Sequence, residues 1–189
     1  MNMTEAEAIN IVQRLPLTVD DFLLLDESGA FERYGKTELI EGEIFYMNAQ
    51  HSRHGRTKTT LAFALNEALK NLSSNFDVIV EVSVRIAPAS APIPDIIITS
   101  HKGDGLVPAE TVSLVVEIAD TTQKSDLGAK ATLYAKAEIK EYWVLDLKKG
   151  ILHQFWLPKV AAYTQSKQIP LGEMICAKAI DGLTIRLPA

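Results

Sequence analysis

Two carboxylates stand inside apolar, strand-forming segments, where a charged side chain is costly to bury. Asp95 precedes three consecutive isoleucines, and Glu117 follows a Leu-Val-Val run and precedes Ile118. A buried carboxylate needs a cation, a hydrogen-bond donor or a metal ion as a partner. If the two strands are neighbours at one sheet edge, Mg²⁺ fits between the acids because it prefers oxygen ligands. The alternatives are that Asp95 caps its strand after Pro94 and that Glu117 faces solvent.

Lys130 is a cation that can reach this pair of acids. It lies in a helix predicted over residues 124–137, at the edge of the apolar stripe of that helix. From such a position the methylene stem can lie against a sheet while the ammonium group reaches polar groups. The alternative is a surface ion pair with Asp126, which is four residues earlier.

The segment over residues 51–58 is a dense basic cluster with two arginines, one lysine and two histidines. It lies at the predicted start of a helix, where backbone N–H groups favour phosphate. Arg53, Arg56 and Lys58 therefore predict contacts with a DNA backbone, although the chain as a whole carries a net charge of −5. The alternative is a solvated helix start.

Helices and strands in a mixed order must position these residues. Glu41-Gly42 is typical of a hairpin turn between strands over 36–40 and 43–47. Capping-box patterns predict helices that begin at Thr4 and Thr18. Hydrophobic periodicity predicts a helix over 51–72, strands over 78–86, 94–99, 113–119, 141–147 and 151–157, and two short strands in the tail over 163–187.

This order predicts one α/β or α+β domain over residues 1–189. Its core lies over about residues 37–157, with an N-terminal helical segment over 1–30 and a C-terminal β extension over 158–189. The chain has one cysteine, Cys176, and no run of about 18 apolar residues that could span a membrane. Its acidic start lacks a secretion-signal pattern. We therefore expect a cytoplasmic protein with no membrane partner.

Taken together, these motifs resemble the bacterial Uma-type family, which is classed among restriction endonucleases of the PD-(D/E)XK nuclease superfamily. The resemblance rests on Pro94-Asp95, on Glu117 near the end of the next apolar strand, and on Lys130 in the helix that follows. Further matches over residues 37–146 cover most of the chain. The resemblance implies a restriction-endonuclease-like domain in which helices flank a mixed central sheet, with extra β strands at both ends.

The resemblance also implies a function, a Mg²⁺-dependent endonuclease that hydrolyses DNA phosphodiester bonds, with Mn²⁺ as a substitute ion. Asp95 and Glu117 would bind the metal together with the backbone carbonyl of Ile118. Lys130 would be the catalytic lysine, displaced to a helix, because Ala119 occupies the strand position of the superfamily lysine.

Further site residues and partners follow from the same resemblance. Glu38 and Glu43 flank the hairpin, and of the two Glu43 is preferred as an additional catalytic carboxylate. His54 matches a family position and is expected near the nucleic acid. Cutting of both strands predicts a homodimer.

Two interpretations without catalysis remain open from the sequence. The first is a nuclease fold that binds nucleic acid without cutting it, for which Ala119 in place of the strand lysine would be the mark. The second is a non-catalytic interaction protein.

Overall fold

The computed structural model describes residues 14–47, 49–120 and 125–188. Its longer helices are α1 (Val19–Glu27), α2 (Ser52–Asn71) and α3 (Ala131–Lys136). Its strands, in chain order, are β1 (Thr37–Ile40), β2 (Glu43–Tyr46), β3 (Asp77–Val80), β4 (Val84–Arg85), β5 (Ile96–Thr99), β6 (Val107–Pro108), β7 (Val112–Ala119), β8 (Glu141–Asp146), β9 (Ile151–Lys159), β10 (Ala162–Pro170), β11 (Met174–Cys176) and β12 (Thr184–Arg186).

A six-stranded sheet in the order β10-β9-β8-β7-β5-β3 forms the centre of the fold. β7 and β8 run parallel, and the other neighbouring pairs are antiparallel. The connection between the two parallel strands contains α3, because parallel strands need a long crossover. The fold is therefore a mixed α+β fold with a mixed central sheet, as predicted.

Each face of the sheet is covered by a separate apolar layer. α2 packs on one face through Leu61, Leu65 and Leu69, which recur at helical spacing, and the β11–β12 hairpin joins the same layer. α3 packs on the other face, where Tyr134 and Tyr142 are fully buried. β7, buried along its whole length between these layers, carries Glu117.

The local turn and capping predictions are confirmed where the structure describes them. Thr18 caps α1 in a capping box with Asp21. Glu41 and Gly42 have φ values of 48° and 83°, and they join β1 to β2 in an antiparallel hairpin. The helix predicted to begin at Thr4 lies outside the described residues.

Three predicted elements differ from the structure. The strand expected over 78–86 is interrupted at Glu81, whose φ is 51°, so that β4 leaves the central sheet and pairs with β6. The helix expected over 124–137 has a π-helical turn, Asp126–Lys130, before α3. The tail holds β10, β11 and β12 rather than two strands.

Among the described residues, no helix combines the length and the apolar character needed to cross a membrane.

Candidate active site

Asp95 and Glu117 face each other across the neighbouring strands β5 and β7. The register pairs Ile96 with Val116, so Asp95, one residue before β5, lies opposite Glu117. Directly opposed residues in an antiparallel pair have Cβ atoms about 4.5–5.5 Å apart. Only 6% of Asp95 and 5% of Glu117 is exposed. The two strands are adjacent, as predicted, and neither acid faces open solvent.

Asp95 is held in place by hydrogen-bond donors from two other elements. Its Oδ2 accepts a hydrogen bond from the Ile118 amide at 2.8 Å, and its Oδ1 lies 2.8 Å from His54 Nε2. Lys58 Nζ lies 3.4 Å from the same Oδ1. Burial raises the pKa of Asp95, but His54, the Ile118 amide and Lys58 outweigh burial and hold this pKa below its ordinary value. Asp95 is therefore a buried acid that stays ionised.

Glu117 has a different environment from Asp95. Its Oε1 accepts hydrogen bonds from Lys130 Nζ and from the Tyr134 hydroxyl, both at 3.0 Å. Burial raises the pKa of Glu117 to about 8, and the negative charges of Asp95 and Asp126 add to this effect against the opposing Lys130. Near neutral pH Glu117 therefore holds a proton more readily than Asp95 does.

Lys130 reaches the acids from the π-helical turn, and its side chain is only 14% exposed. Its Nζ lies 3.0 Å from Glu117 Oε1 and 3.8 Å from Glu38 Oε2. Burial lowers the pKa of Lys130, but the carboxylates of Glu117, Glu38 and Asp126 outweigh burial and raise this pKa, so that the ammonium keeps its charge. Asp126 is buried and the Lys130 side chain is mostly covered, so any pairing between these two residues does not lie at the surface.

The hairpin places Glu38, and not Glu43, among these groups. Glu38 is buried, and its Oε2 accepts a hydrogen bond from the Ile93 amide at 3.1 Å. Glu43 is exposed, and its Oε1 lies 2.6 Å from Arg14 Nη1. The register pairs Glu38 with Phe45 and Ile40 with Glu43, so Glu43 shares the face of Glu38 but lies nearer the turn. Of the two hairpin acids, Glu38 is therefore the one that lies near Lys130, whereas Glu43, the acid preferred from the sequence, lies on the surface.

The basic segment at the start of α2 is divided between the interior and the surface. His54 and Lys58 point inward: His54 contacts Asp95, and Lys58 pairs with Glu81 and donates to Gln50 Oε1 at 2.8 Å. The other two candidates are exposed. Arg53 donates through Nη2 to the Leu147 carbonyl oxygen at 2.8 Å, and Arg56 lies on the surface of the helix.

Sequence reasoning missed two groups that support the site. Glu81 pairs with both Lys36 and Lys58, and it lies at a break in the strand that the alternation of valines did not reveal. Tyr134 hydrogen-bonds to Glu117 from α3. It lies four residues after Lys130, and that spacing on one helix face was the available signal.

The oxygen atoms near Asp95 and Glu117 suit a hard divalent cation. The Ile118 amide bonds to Asp95, whereas the next carbonyl, that of Ala119, accepts from Leu147 N at 3.0 Å on the β8 side. Because successive residues of a strand alternate, the Ile118 carbonyl points toward Asp95. Among the described residues, no cluster of three or more His, Cys, Asp or Glu side chains could hold a metal ion. Backbone oxygen and water would complete the shell.

Two adjoining spaces give access to these groups. A cavity of about 80 Å³ lies among Asp95, Glu117, Ile118 and Lys130. It has room for a cation and several waters, since one water needs about 10–15 Å³ of such volume. A larger cleft of about 590 Å³ shares His54, Ile118 and Lys130 with that cavity and extends toward β2.

The fold of the chain is similar to that of a solved nuclease-like protein. A solved structure described as "a putative nuclease belonging to DUF820 from Anabaena variabilis ATCC 29413" is similar, with a TM-score of 0.65. The match has 16% sequence identity and covers 87% of this chain and 90% of that chain, so it shows a shared fold.

The chain belongs to the Uma2 family, whose description is "Putative restriction endonuclease" and whose model matches residues 19–188. The family resemblance inferred from the motifs is thereby confirmed. No curated protein matches the chain.

Proposed function

We propose that the protein is a divalent-metal-dependent endonuclease that hydrolyses phosphodiester bonds in DNA. The observation that carries this proposal is the convergence of Asp95, Glu117 and Lys130 from three separate elements on one cavity. Family membership supports a nuclease, and oxygen donors favour Mg²⁺, with Mn²⁺ as a substitute.

The metal would be held by Asp95, Glu117 and the Ile118 carbonyl. Asp95 supplies a full charge because its hydrogen bonds keep it ionised, and Glu117 ionises when a cation replaces its proton. When bound, the ion supplies Lewis acidity toward an oxygen of the scissile phosphate.

The remaining groups orient the substrate and the acids. Lys130 presents a charged ammonium at the cavity wall, where it can donate to a phosphate oxygen or to the attacking water. Glu38 holds the hairpin against this lysine, and Tyr134 fixes the orientation of Glu117. His54 lines the cleft, and its contact with Asp95 fixes the orientation of that carboxylate, so His54 is also a positioning residue.

DNA would approach across the start of α2. Arg56 and Arg53 lie exposed there and suit phosphate contacts, which position a protein on DNA without reading its sequence. Because one site cuts one strand, cleavage of a duplex on both strands calls for a symmetric homodimer.

A second candidate function is nucleic-acid binding without cleavage. Its supporting observation is the contact of Lys130 with the Glu117 oxygen that a cation would require, at 3.0 Å. Ala119 in the place of the strand lysine supports the same interpretation.

Calorimetric titration with Mg²⁺ and Mn²⁺ separates the two functions. We expect one site that is lost in Asp95→Asn and in Glu117→Gln but kept in Asp77→Asn, which alters an exposed acid paired with Lys102. Because the pKa of Glu117 is about 8, binding near neutral pH should release a proton. This release appears as a dependence of the heat on the ionisation enthalpy of the buffer, in the wild type and in Asp77→Asn alike.

The same samples are then incubated with plasmid DNA. Cleavage that needs the metal and both acids supports the nuclease. The nuclease assignment fails if no metal binds, or if DNA is bound but never cut with the metal site filled.

A further inference from the structure

Three consecutive apolar side chains of β2 are exposed, in contrast to the strands of the central sheet such as β7, which is buried along its whole length. Ile44, Phe45 and Tyr46 follow one another, and 47% of Phe45 and 64% of Tyr46 is accessible to solvent. Aromatic side chains of this size are costly to leave in water, so an exposed pair in a cleft marks a binding surface.

The hairpin register brings these rings beside the candidate active site. Phe45 lies opposite Glu38, whose carboxylate is 3.8 Å from the ammonium of Lys130. Phe45 and Tyr46 both line the cleft of about 590 Å³ that also contains Lys130 and His54. A molecule in the cleft therefore lies beside both residues and beside Lys130, while the alternation of side chains along β2 directs the two rings to opposite sides of the strand.

A second tyrosine and an arginine extend the aromatic surface. The rings of Tyr46 and Tyr34 have centroids 5.9 Å apart, and the guanidinium carbon of Arg33 lies 4.8 Å from the centroid of the Tyr34 ring. Aromatic rings beside a guanidinium form a surface that suits a flat, polar, π-bonded ligand carrying a negative charge.

We propose that Phe45 and Tyr46 each offer a ring for stacking with an unpaired nucleobase, so that the cleft takes single-stranded DNA or a nucleotide that has left its duplex. This inference rests on the proposed function, since it names the substrate form of the same site. Within a regular duplex the faces of the bases are covered by their neighbours, and proteins read only base edges through polar side chains. Rings can therefore meet a base face only where the base is unstacked.

The charges around Phe45 agree with a base at this position. Glu38 lies across from Phe45, and a neutral base can lie beside this carboxylate. The phosphate of the same nucleotide is left for the ammonium of Lys130, which lines the same cleft. A volume of about 590 Å³ is within the range of about 300–1,000 Å³ typical of small-ligand pockets.

The test uses the fluorescence of 2-aminopurine, a base analogue that dims when it stacks. An oligonucleotide of about 12 residues, within the length that single-strand-binding modules cover, carries one analogue. It is titrated in EDTA, as a single strand and as a duplex, with the wild type and with Phe45→Ala and Tyr46→Ala. Phe63→Ala is the matched control, because Phe63 is an exposed aromatic on α2 that does not line the cleft.

We expect the fluorescence of the single-stranded oligonucleotide to fall when it binds the wild type. It should bind Phe45→Ala or Tyr46→Ala about 5- to 150-fold more weakly, which is the range for losing one stacked base. Phe63→Ala and binding to the duplex should change by no more than about twofold, as ordinary surface substitutions do. Tyr46→Phe should retain the stacking, since it keeps the ring.

Other results overturn the stacking proposal. These are no dimming, equal losses for single strand and duplex, or a loss in Phe63→Ala as large as in Phe45→Ala. If the rings are instead covered by a second copy of the chain, the two alanine variants change the sedimentation rate and leave the fluorescence unchanged. The fluorescence readout does not depend on cleavage. If the dimming depends on the rings but the protein never cuts DNA, stacking is supported and the nuclease proposal is rejected. If the protein cuts DNA at the same rate in both alanine variants, the nuclease proposal is supported and stacking is rejected.

Discussion

Lys130 is the residue for which a catalytic role and a structural role predict the most different effects of substitution. It is a buried lysine in contact with a carboxylate whose own pKa is about 8. A purely structural ion pair at this depth costs desolvation energy that a well-packed apolar pair would avoid. Under the proposed function, a ligand that binds the ammonium would offset this cost.

The first prediction compares Lys130→Ala with Lys136→Ala. Lys136 lies at the end of α3 and makes a surface ion pair with Glu41, with a half-exposed side chain. Lys136→Ala should cost about 0.5 kcal/mol of unfolding free energy and leave cleavage unchanged. Lys130→Ala should retain its fold and lower the rate of plasmid cleavage roughly a hundredfold, as expected for a positioned electrostatic group.

Lys130→Arg provides a further check on the same assignment. A planar guanidinium cannot occupy the place of a compact ammonium between Glu117 and Glu38, so its rate should stay below that of the wild type. A cleaving protein whose rate is the same in Lys130→Ala and in the wild type would remove Lys130 from the mechanism.

At the scale of elements, α2 joins the site to the surface that would meet DNA. Its first turns direct His54 and Lys58 inward, to Asp95, and leave Arg56 outside. Under the proposed function, α2 would support the acids with one face and contact DNA with the other, since opposite faces of a helix can have different surroundings.

The element-scale prediction concerns the salt dependence of DNA binding. Arg56→Ala should lower the slope of log K against log salt by about one unit for each phosphate that the arginine neutralises in the wild type. Metal binding should be unchanged, because Arg56 points away from the acids. Arg85→Ala is the control, since Arg85 pairs with Asp20 of α1. If the slope is unaltered in Arg56→Ala, Arg56 does not contact DNA phosphate and is an ordinary solvated surface residue.

At the scale of the whole molecule, one buried acid ties the C-terminal part of the chain to the sheet. Glu141 of β8 is fully buried and accepts hydrogen bonds from Trp143 Nε1 at 2.6 Å and from Gln154 Nε2 at 2.7 Å. Its other oxygen accepts from the amides of Lys178 and Ala179 at 2.6 and 2.7 Å. The C-terminal strands should therefore unfold together with the central sheet.

The whole-molecule prediction is one cooperative transition that depends on Glu141. Urea unfolding followed by tryptophan fluorescence and by circular dichroism should give coincident curves. Glu141→Ala should lower the unfolding free energy by about 3 kcal/mol, because four hydrogen-bond donors lose their acceptor. Glu173→Ala, at an exposed acid nearby, should have little effect. Two separate transitions in the wild type would contradict a single folding unit.

Features that depend on neighbouring residues in the chain were determined by the sequence itself. The Glu41-Gly42 hairpin, the Thr18 cap and the leucine stripe of α2 follow from backbone preference and periodicity. The strand acids Asp95 and Glu117 also stood out, because a charge in an apolar run is conspicuous without any structure.

Features that depend on register and packing were decided only by the tertiary structure. The choice of Glu38 over Glu43 depended on where each residue lies along the hairpin, and both had the same local pattern. The pairing of Lys58 with Glu81 was equally invisible in the sequence, because it joins α2 to the break after β3. A sequence pattern states which face a residue can occupy, but long-range contacts decide what lies opposite that face.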